Sequence, residues 1–413
     1  LYNIAMKRNG WHTTQTLGSE SIQIISDFRD IDLEEEVAKD FDLFAAELLF
    51  FRLAEHAPYL LDKLPIVPEQ LRSVDQIEHR YNNQEYRDRV IGAAEALIPR
   101  ITDRGAAVAI LADHRLRDRL VTKIRDALLK RRSQIAPSSF IDDNYPEASV
   151  LMSALLYRPR EDPDRLLTEF ETLKSGKEGR LSPTGDLVGN NLFGCVNAIY
   201  IDARRESILF SGFTSLTLIA RANIRYLLEL IHRIFKVFES DNNCKLPVVP
   251  ADVQAKAVKD ASELILGTVS GHGVHGPQLH NLAQCLGSIF LARHRSDRQS
   301  EPEINHFTLS SGDLNDNLRM YIREAEKWSV LYVGRETKMK STGSIDVDYI
   351  LNPIFSPYFQ ISFRKKRSLP ISAAQLLGML EGDQRERDAL VREFGRQGNG
   401  GDDHPDLFDE ARS

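Results

Sequence analysis

The stretch ARANIRYLLELIHRIF, residues 220–235, decides how this chain is to be read. A strongly apolar helical run is entered through a polar mouth in which Asn223 and Arg225 stand two residues apart. A cation near a helix N-terminus faces the positive end of the helix dipole, so a carboxylate or a phosphate close by explains it best. On the other reading, the Arg225 stem packs on Tyr226 or Leu228 while its head stays in water. The segments around this helix have to decide between them.

Working outward, the periodicity extends the helix over residues 216–238. Upstream, LFGCVNAIYIDA at 192–203 mixes helix-favouring Ala and Leu with β-branched residues and fits either state. Helices are predicted over 83–98, 103–111 and 114–132. Another is predicted in DLEEEVAKDFDLFAAELLFFRLAEHA, whose acidic start suits a helix N-terminus and which Pro65 and Pro68 interrupt. The first runs, LYNIAM and SIQIISDFRDIDL, are β-like and flank a polar connection with Gly10 and Gly18.

Downstream, Pro247 and Pro250 mark a boundary, after which Asp252 is expected to cap a helix over 252–266. Pro277 suits the first turn of a second helix. The strand INHFTL and a third helix over 315–333 follow, and VDYILNPIFSPYFQISFRKKRSLPIS supplies the remaining strands and turns. This order resembles a winged-helix domain. The end, GRQGNGGDDHPDLFDEARS, is polar, acidic and glycine-rich and is expected to be mobile.

The 413 residues, 42% hydrophobic and 27% charged, suffice for one full core or for two or three smaller ones. A net charge of -7 argues against uniform basic coating but leaves room for a local basic patch. Cys195, Cys244 and Cys285 lie far apart with no CxxC pair, as in a reduced intracellular chain. No apolar run approaches the roughly 18 residues of a membrane span, so no membrane partner is expected and the cytoplasm is the expected location. A start that lacks methionine and already reads as a strand is expected for the later part of a longer protein.

Chemistry is sparse. The chain holds no GxxxxGK[ST] loop, so it lacks the amide nest and lysine that hold nucleotide phosphates; HExxH and GxSxG are absent as well. The cluster GHGVHGPQLH, with His272, His275 and His280, has no thiolate or carboxylate pair nearby and is expected to be a glycine-rich surface loop, with no metal. Asp142 and Asp143 read as a solvated loop.

Three segments carry a family resemblance. LYNIAMKRNGWHTTQTLGSESIQIISDFRDIDLEEE resembles the segment that follows the Walker B strand in bacterial Orc/Cdc6-like AAA+ ATPases. LFSGFTSLTLIARANIRYLLELIHRIF resembles their lid, and LNPIFSPYFQISFRKKRSLPIS the end of their winged-helix region. The resemblance implies a mainly α fold with small β elements: the end of an AAA+ α/β core, a helical lid bundle and a winged-helix-like α+β domain. The expected division is 1–33 for the last core strands, 34–140 for a helical region or insertion, 141–246 for the lid, 247–395 for the winged-helix-like domain and 396–413 for a disordered acidic tail.

The resemblance further implies ATP and Mg2+ as cofactors of the full-length protein, bound with an upstream core that carries Walker A and Walker B. Arg225 matches the sensor-2 arginine and Asn223 the polar residue before it, while Arg8 or Lys7 lies close to the sensor-1 strand end. Ala222 stands where the family usually has glycine. The implied function is a DNA-associated ATPase that couples nucleotide state to DNA or partner binding, in replication or in phage defence, as a homo-oligomer or with an effector protein. The chain alone is expected to be inactive. The alternative is a non-enzymatic helical adaptor.

One compact basic cluster remains: Arg364, Lys365, Lys366 and Arg367. Adjacent cations repel unless solvent screens them or a polyanion neutralises them, and on a wing they would lie along a DNA backbone. The other reading is a solvated strand end, or a contact with the acidic tail. The preceding YFQISF alternates as a strand does, which predicts Phe359, Ile361 and Phe363 inward.

Overall fold

The computed structural model describes residues 15, 18, 21, 31–56, 68–240, 248–295, 304–310, 314–334, 338–339 and 345–397. Helices α1 (Leu33–Lys39) and α2 (Phe41–His56) come first, then the short α3 (Pro68–Arg72) and α4 (Ile77–Asn82). Local caps set the next three. Asn83 accepts the Tyr86 amide and opens α5 (Gln84–Leu97), Thr102 accepts the Gly105 amide and opens α6 (Asp103–Ala112), and Asp113 takes two amides at the start of α7 (His114–Lys130). Each such cap contributes about 1 kcal/mol. Helices α8 (Pro146–Leu155), α9 (Pro163–Lys174) and α10 (Asp186–Asp202) complete a bundle with α6 and α7. Its core runs from Ala106 to Leu209 and includes Phe140, Phe170 and Val196.

The 192–203 stretch, which fits either state by composition, is helical within α10. Burial decides it: Leu192, Cys195, Val196, Ile199 and Tyr200 all face the bundle core. The helix expected over 216–238 is instead two helices, α11 (Phe213–Ala220) and α12 (Ile224–Ser240). The break has a backbone cause, because Arg221 (φ 47°) and Ala222 (φ 56°) are both left-handed and cannot continue a right-handed helix.

Helix α13 (Ala251–Thr268) is flanked by Pro250, with no side-chain cap; Asp252, expected to cap it, lies inside the first turn. Pro277 does sit in the first turn of α14 (Gly276–His294). Strand β1 (Ile304–Ser310) precedes α15 (Asp316–Lys327), which Asn315 caps. The helix expected to reach 333 stops at Lys327, since Ser329 adopts φ 56° and the chain turns into β2 (Leu331–Val333). Strands β3 (Lys338–Met339) and β4 (Ile345–Leu351) follow. The expected strand YFQISF is not one: α16 (Ser356–Phe359) ends at left-handed Gln360, and β5 begins only at Arg367 (Arg367–Pro370). Its side-chain prediction survives, since Phe359, Ile361 and Phe363 are buried. Two helices unforeseen in the sequence, α17 (Ala373–Glu381) and α18 (Gln384–Gln397), pack on α14.

The sheet has the order β2-β4-β1-β5, with β3 on β4. Antiparallel β4 lies between β2 and β1, with Tyr332 opposite Ile350 and His306 also opposite Ile350 on the other side, while β5 runs parallel to β1. The fold is thus predominantly helical with a small winged-helix-like sheet. A second core unites α2, α5, α11 to α14 and this sheet. Phe193 packs against both cores and meets Phe210 and Phe363 edge-on at 6.3 and 5.7 Å.

The segments around α13 are tied by one buried side chain. The Gln254 carboxamide, fully buried, accepts the Gly212 amide at 2.7 Å and donates to the Val249 and Pro99 carbonyls at 2.8 and 3.2 Å. Gly212 has φ 102°, and a Cβ there would collide with Arg100. Replacing Gln254 with Leu keeps the bulk but orphans two buried backbone groups and the half-buried Pro99 carbonyl, so Gln254→Leu is expected to lower unfolding stability by about 2–4 kcal/mol. Urea denaturation of the two proteins measures it, and a loss below about 1 kcal/mol would mean the amide is dispensable.

Candidate functional site: the joint between helices α11 and α12

The Arg221 amide closes α11 on the Thr217 carbonyl at 3.0 Å, and the Asn223 amide returns to Ala220 at 2.9 Å. Asn223 then caps α12, its side chain accepting the Tyr226 amide at 3.2 Å. A three-residue joint results, and Arg225 stands exposed on the first turn beyond it. Among the described residues the Arg225 guanidinium has no hydrogen-bond or ion-pair partner. The carboxylate one turn on, Glu229, is held by Arg233 at 2.9 Å. Tyr226, beside it, is buried, and its phenol is pushed up to about 12 chiefly by loss of solvent. The arrangement can offer a cation and helix amides to one anion. Lys7 and Arg8 lie outside the described residues.

The position of Ala222, where the resemblance expects glycine, is left-handed. Glycine adopts such a conformation without steric cost, whereas alanine does not. Arg221, which sequence reasoning did not single out, places its guanidinium carbon 3.3 Å from the centre of the Tyr332 ring in β2. Nothing in the local sequence signals that long-range contact.

The basic cluster is elsewhere in the fold, and its members differ. Lys365 pairs with Asp348 at 2.7 Å and Lys366 donates to the Asn190 carbonyl of α10 at 3.3 Å. Arg364 is exposed, with its head 5.9 Å from the Phe363 ring, and Arg367 starts β5. The backbone of this segment is held by buried Asn305, which donates to the Ser362 and Arg364 carbonyls and accepts the Lys366 amide at 2.9 Å. Asn197 of α10 donates to the Gln360 carbonyl at 2.9 Å. Of the four side-by-side cations, Lys365 and Lys366 are thus committed to partners within the fold, and Arg364 is exposed.

The histidine loop is clamped on α15. His272 stacks on Trp328 at 4.9 Å, His275 meets Tyr321 at 5.2 Å, and Glu324 accepts the Trp328 indole N–H at 3.0 Å. Among the described residues no group of three or more His, Cys, Asp and Glu side chains could hold a metal ion. None of their helices is long and apolar enough to cross a membrane.

Ala222→Gly relieves the left-handed strain and is expected to stabilise the fold by about 0.5–1 kcal/mol, seen as a higher urea midpoint. Burial lowers His306, beside Asp348 and Lys365, and His294 to about 4 each, so both stay neutral in the folded chain while the unfolded chain protonates them near 6.5. The unfolded state then binds more protons between pH 6.5 and about 4, and stability falls as pH drops through that window. Urea midpoints at pH 7 and 5 test this, and His306→Gln is expected to flatten the dependence.

The geometry can be set beside known proteins. A model of the ORC-CDC6-like family matches residues 1–371, a span that contains the α11–α12 joint, the sheet and the basic segment. No curated protein and no solved structure matches the chain. With nine-tenths of its length matched and a helical bundle joined to a winged-helix-like sheet, the chain belongs to the ORC-CDC6-like family.

Proposed function

We propose that this chain serves as the lid and winged-helix part of a nucleotide-driven, DNA-associated AAA+ ATPase. The observation that carries the reading is Arg225: an exposed cation on the first turn of α12 with no partner among the described residues, whose nearest helical carboxylate is already taken by Arg233. A phosphate there would meet both the guanidinium and the positive end of a 17-residue helix. These 413 residues contain no phosphate-binding loop, so the remaining phosphate and Mg2+ contacts are assigned to a core outside them. Nucleotide binding would then reset α12 and, through it, the sheet that approaches DNA.

Assayed in the full-length protein, Arg225→Ala is expected to weaken ATP binding roughly 10- to 100-fold, the loss typical of one charge-assisted hydrogen bond. The thermal midpoint should stay unchanged, because the side chain supports nothing in the fold. Equal loss of stability and binding, or unaltered ATP affinity, would remove the phosphate reading and leave the non-enzymatic adaptor.

For DNA, Arg364 is the exposed cation of the segment. Arg364→Gln should lower affinity for unrelated duplexes and reduce the slope of log affinity against log salt by about one. Lys365→Gln should act differently, costing stability because it strips the partner from half-buried Asp348. Unchanged affinity and slope in Arg364→Gln would exclude this segment from a DNA surface.

A further inference from the structure

The tandem left-handed pair at 221 and 222 is a conformation that L residues avoid, and one contact that reaches it from the sheet is Arg221 on Tyr332. Tyr332 is itself fixed: it lies in β2 opposite Ile350 of β4, and burial raises its phenol above the ordinary tyrosine range. From Arg221 to Arg225 the chain has no slack. Thr217, Ala220 and Asn223 bind the joint on both sides, so a shift of the ring in β2 is passed to the first turn of α12.

We infer that Arg221 is a positioning residue for Arg225, its stack on Tyr332 holding the joint and tying the first turn of α12 to strand β2. The inference rests on the reading of Arg225 as the anion-facing cation and adds the route by which that site communicates with the sheet. A guanidinium lying over a ring face suits the role because the contact is planar and oriented, which a lysine ammonium would not reproduce. Strand β2 in turn follows Trp328, which is stacked on His272, so a displacement of β2 also reaches the clamp between α15 and the histidine loop.

Hydrogen exchange on the full chain tests this without nucleotide. The Tyr226 and Leu227 amides, bonded to Asn223, report the first turn of α12, and peptides over 330–334 report β2. Arg221→Ala and Tyr332→Leu, which break the stack from opposite sides, are each expected to speed exchange about 3- to 30-fold in both places, the range a cation–π contact supports. Tyr332→Phe keeps the ring and should leave both unchanged, and Arg221→Lys should only partly rescue. Acceleration confined to the mutated side would overturn the inference. So would equal acceleration in α8, which would signal general destabilisation. Binding of MgATP to the full-length protein separates the two ideas. If Arg225→Ala leaves ATP affinity intact while the exchange results hold, the anion reading falls and the mechanical tie stands. If Arg225→Ala abolishes binding but Tyr332→Leu leaves the α12 amides untouched, the tie alone falls.

Discussion

The fully buried carboxamide of Gln254 is the constraint on which the rest of the molecule depends. An amide has one acceptor and two donor hydrogens, and this one meets three backbone segments: Pro99 just beyond α5, the glycine ahead of α11, and Val249 ahead of its own helix. Two direct backbone bonds reinforce the knot, Phe213 to Ile98 at 2.8 Å and Val249 to Leu97 at 2.9 Å. In a low-dielectric interior such a network is either complete or costly, and here it is complete. It fixes where α11 begins relative to α5 and α13.

Everything at the candidate site follows from the joint between α11 and α12. Because the chain turns at 221 and 222 rather than continuing as one helix, α12 acquires an N-terminus of its own, with unpaired amides and a positive dipole end. A single helix over 216–238 would have placed Arg225 in its middle, where neither exists. The strain of two left-handed L residues is the cost of that terminus, and the Arg221–Tyr332 stack is one of the contacts that offsets it.

Elements governed by local rules were legible in the sequence. The starts of α5, α6, α7 and α15 follow from polar caps at Asn83, Thr102, Asp113 and Asn315, and Pro277 marked the first turn of α14. Asn223 and Arg225 stand out locally as polar residues beside an apolar run, and the structure makes Asn223 the cap of α12. What escaped depends on distant partners. Periodicity continues smoothly through Arg221 and Ala222, so it cannot register a break that Tyr332, far along the chain, helps to hold. The alternation of Phe359, Ile361 and Phe363 correctly marked inward side chains, but an αL residue at Gln360 produces the same burial without a strand. For α10, burial on nearly all sides removed the amphipathic contrast that separates helix from strand.

The basic segment shows why charge in sequence and charge on a surface are different quantities. Four consecutive cations suggest a uniform patch, yet the fold uses Lys365 to neutralise Asp348 and Lys366 to cap a carbonyl of α10. These contacts hold the segment against the helical bundle, together with the Phe363 ring between Phe193 and Phe210 and the Asn197 bond to Gln360. Its remaining exposed head, Arg364, is thereby presented from a backbone that buried Asn305 fixes at three points. Committing Lys365 and Lys366 to such contacts lowers the free charge of the segment while fixing the backbone that carries Arg364. The same anchoring joins this segment to α10, while the Arg221 stack joins α12 to β2. Both contacts add to the hydrophobic core that α2, α5 and α11 to α14 share with the sheet, so a rotation of the helices against the sheet would have to strain that core as well.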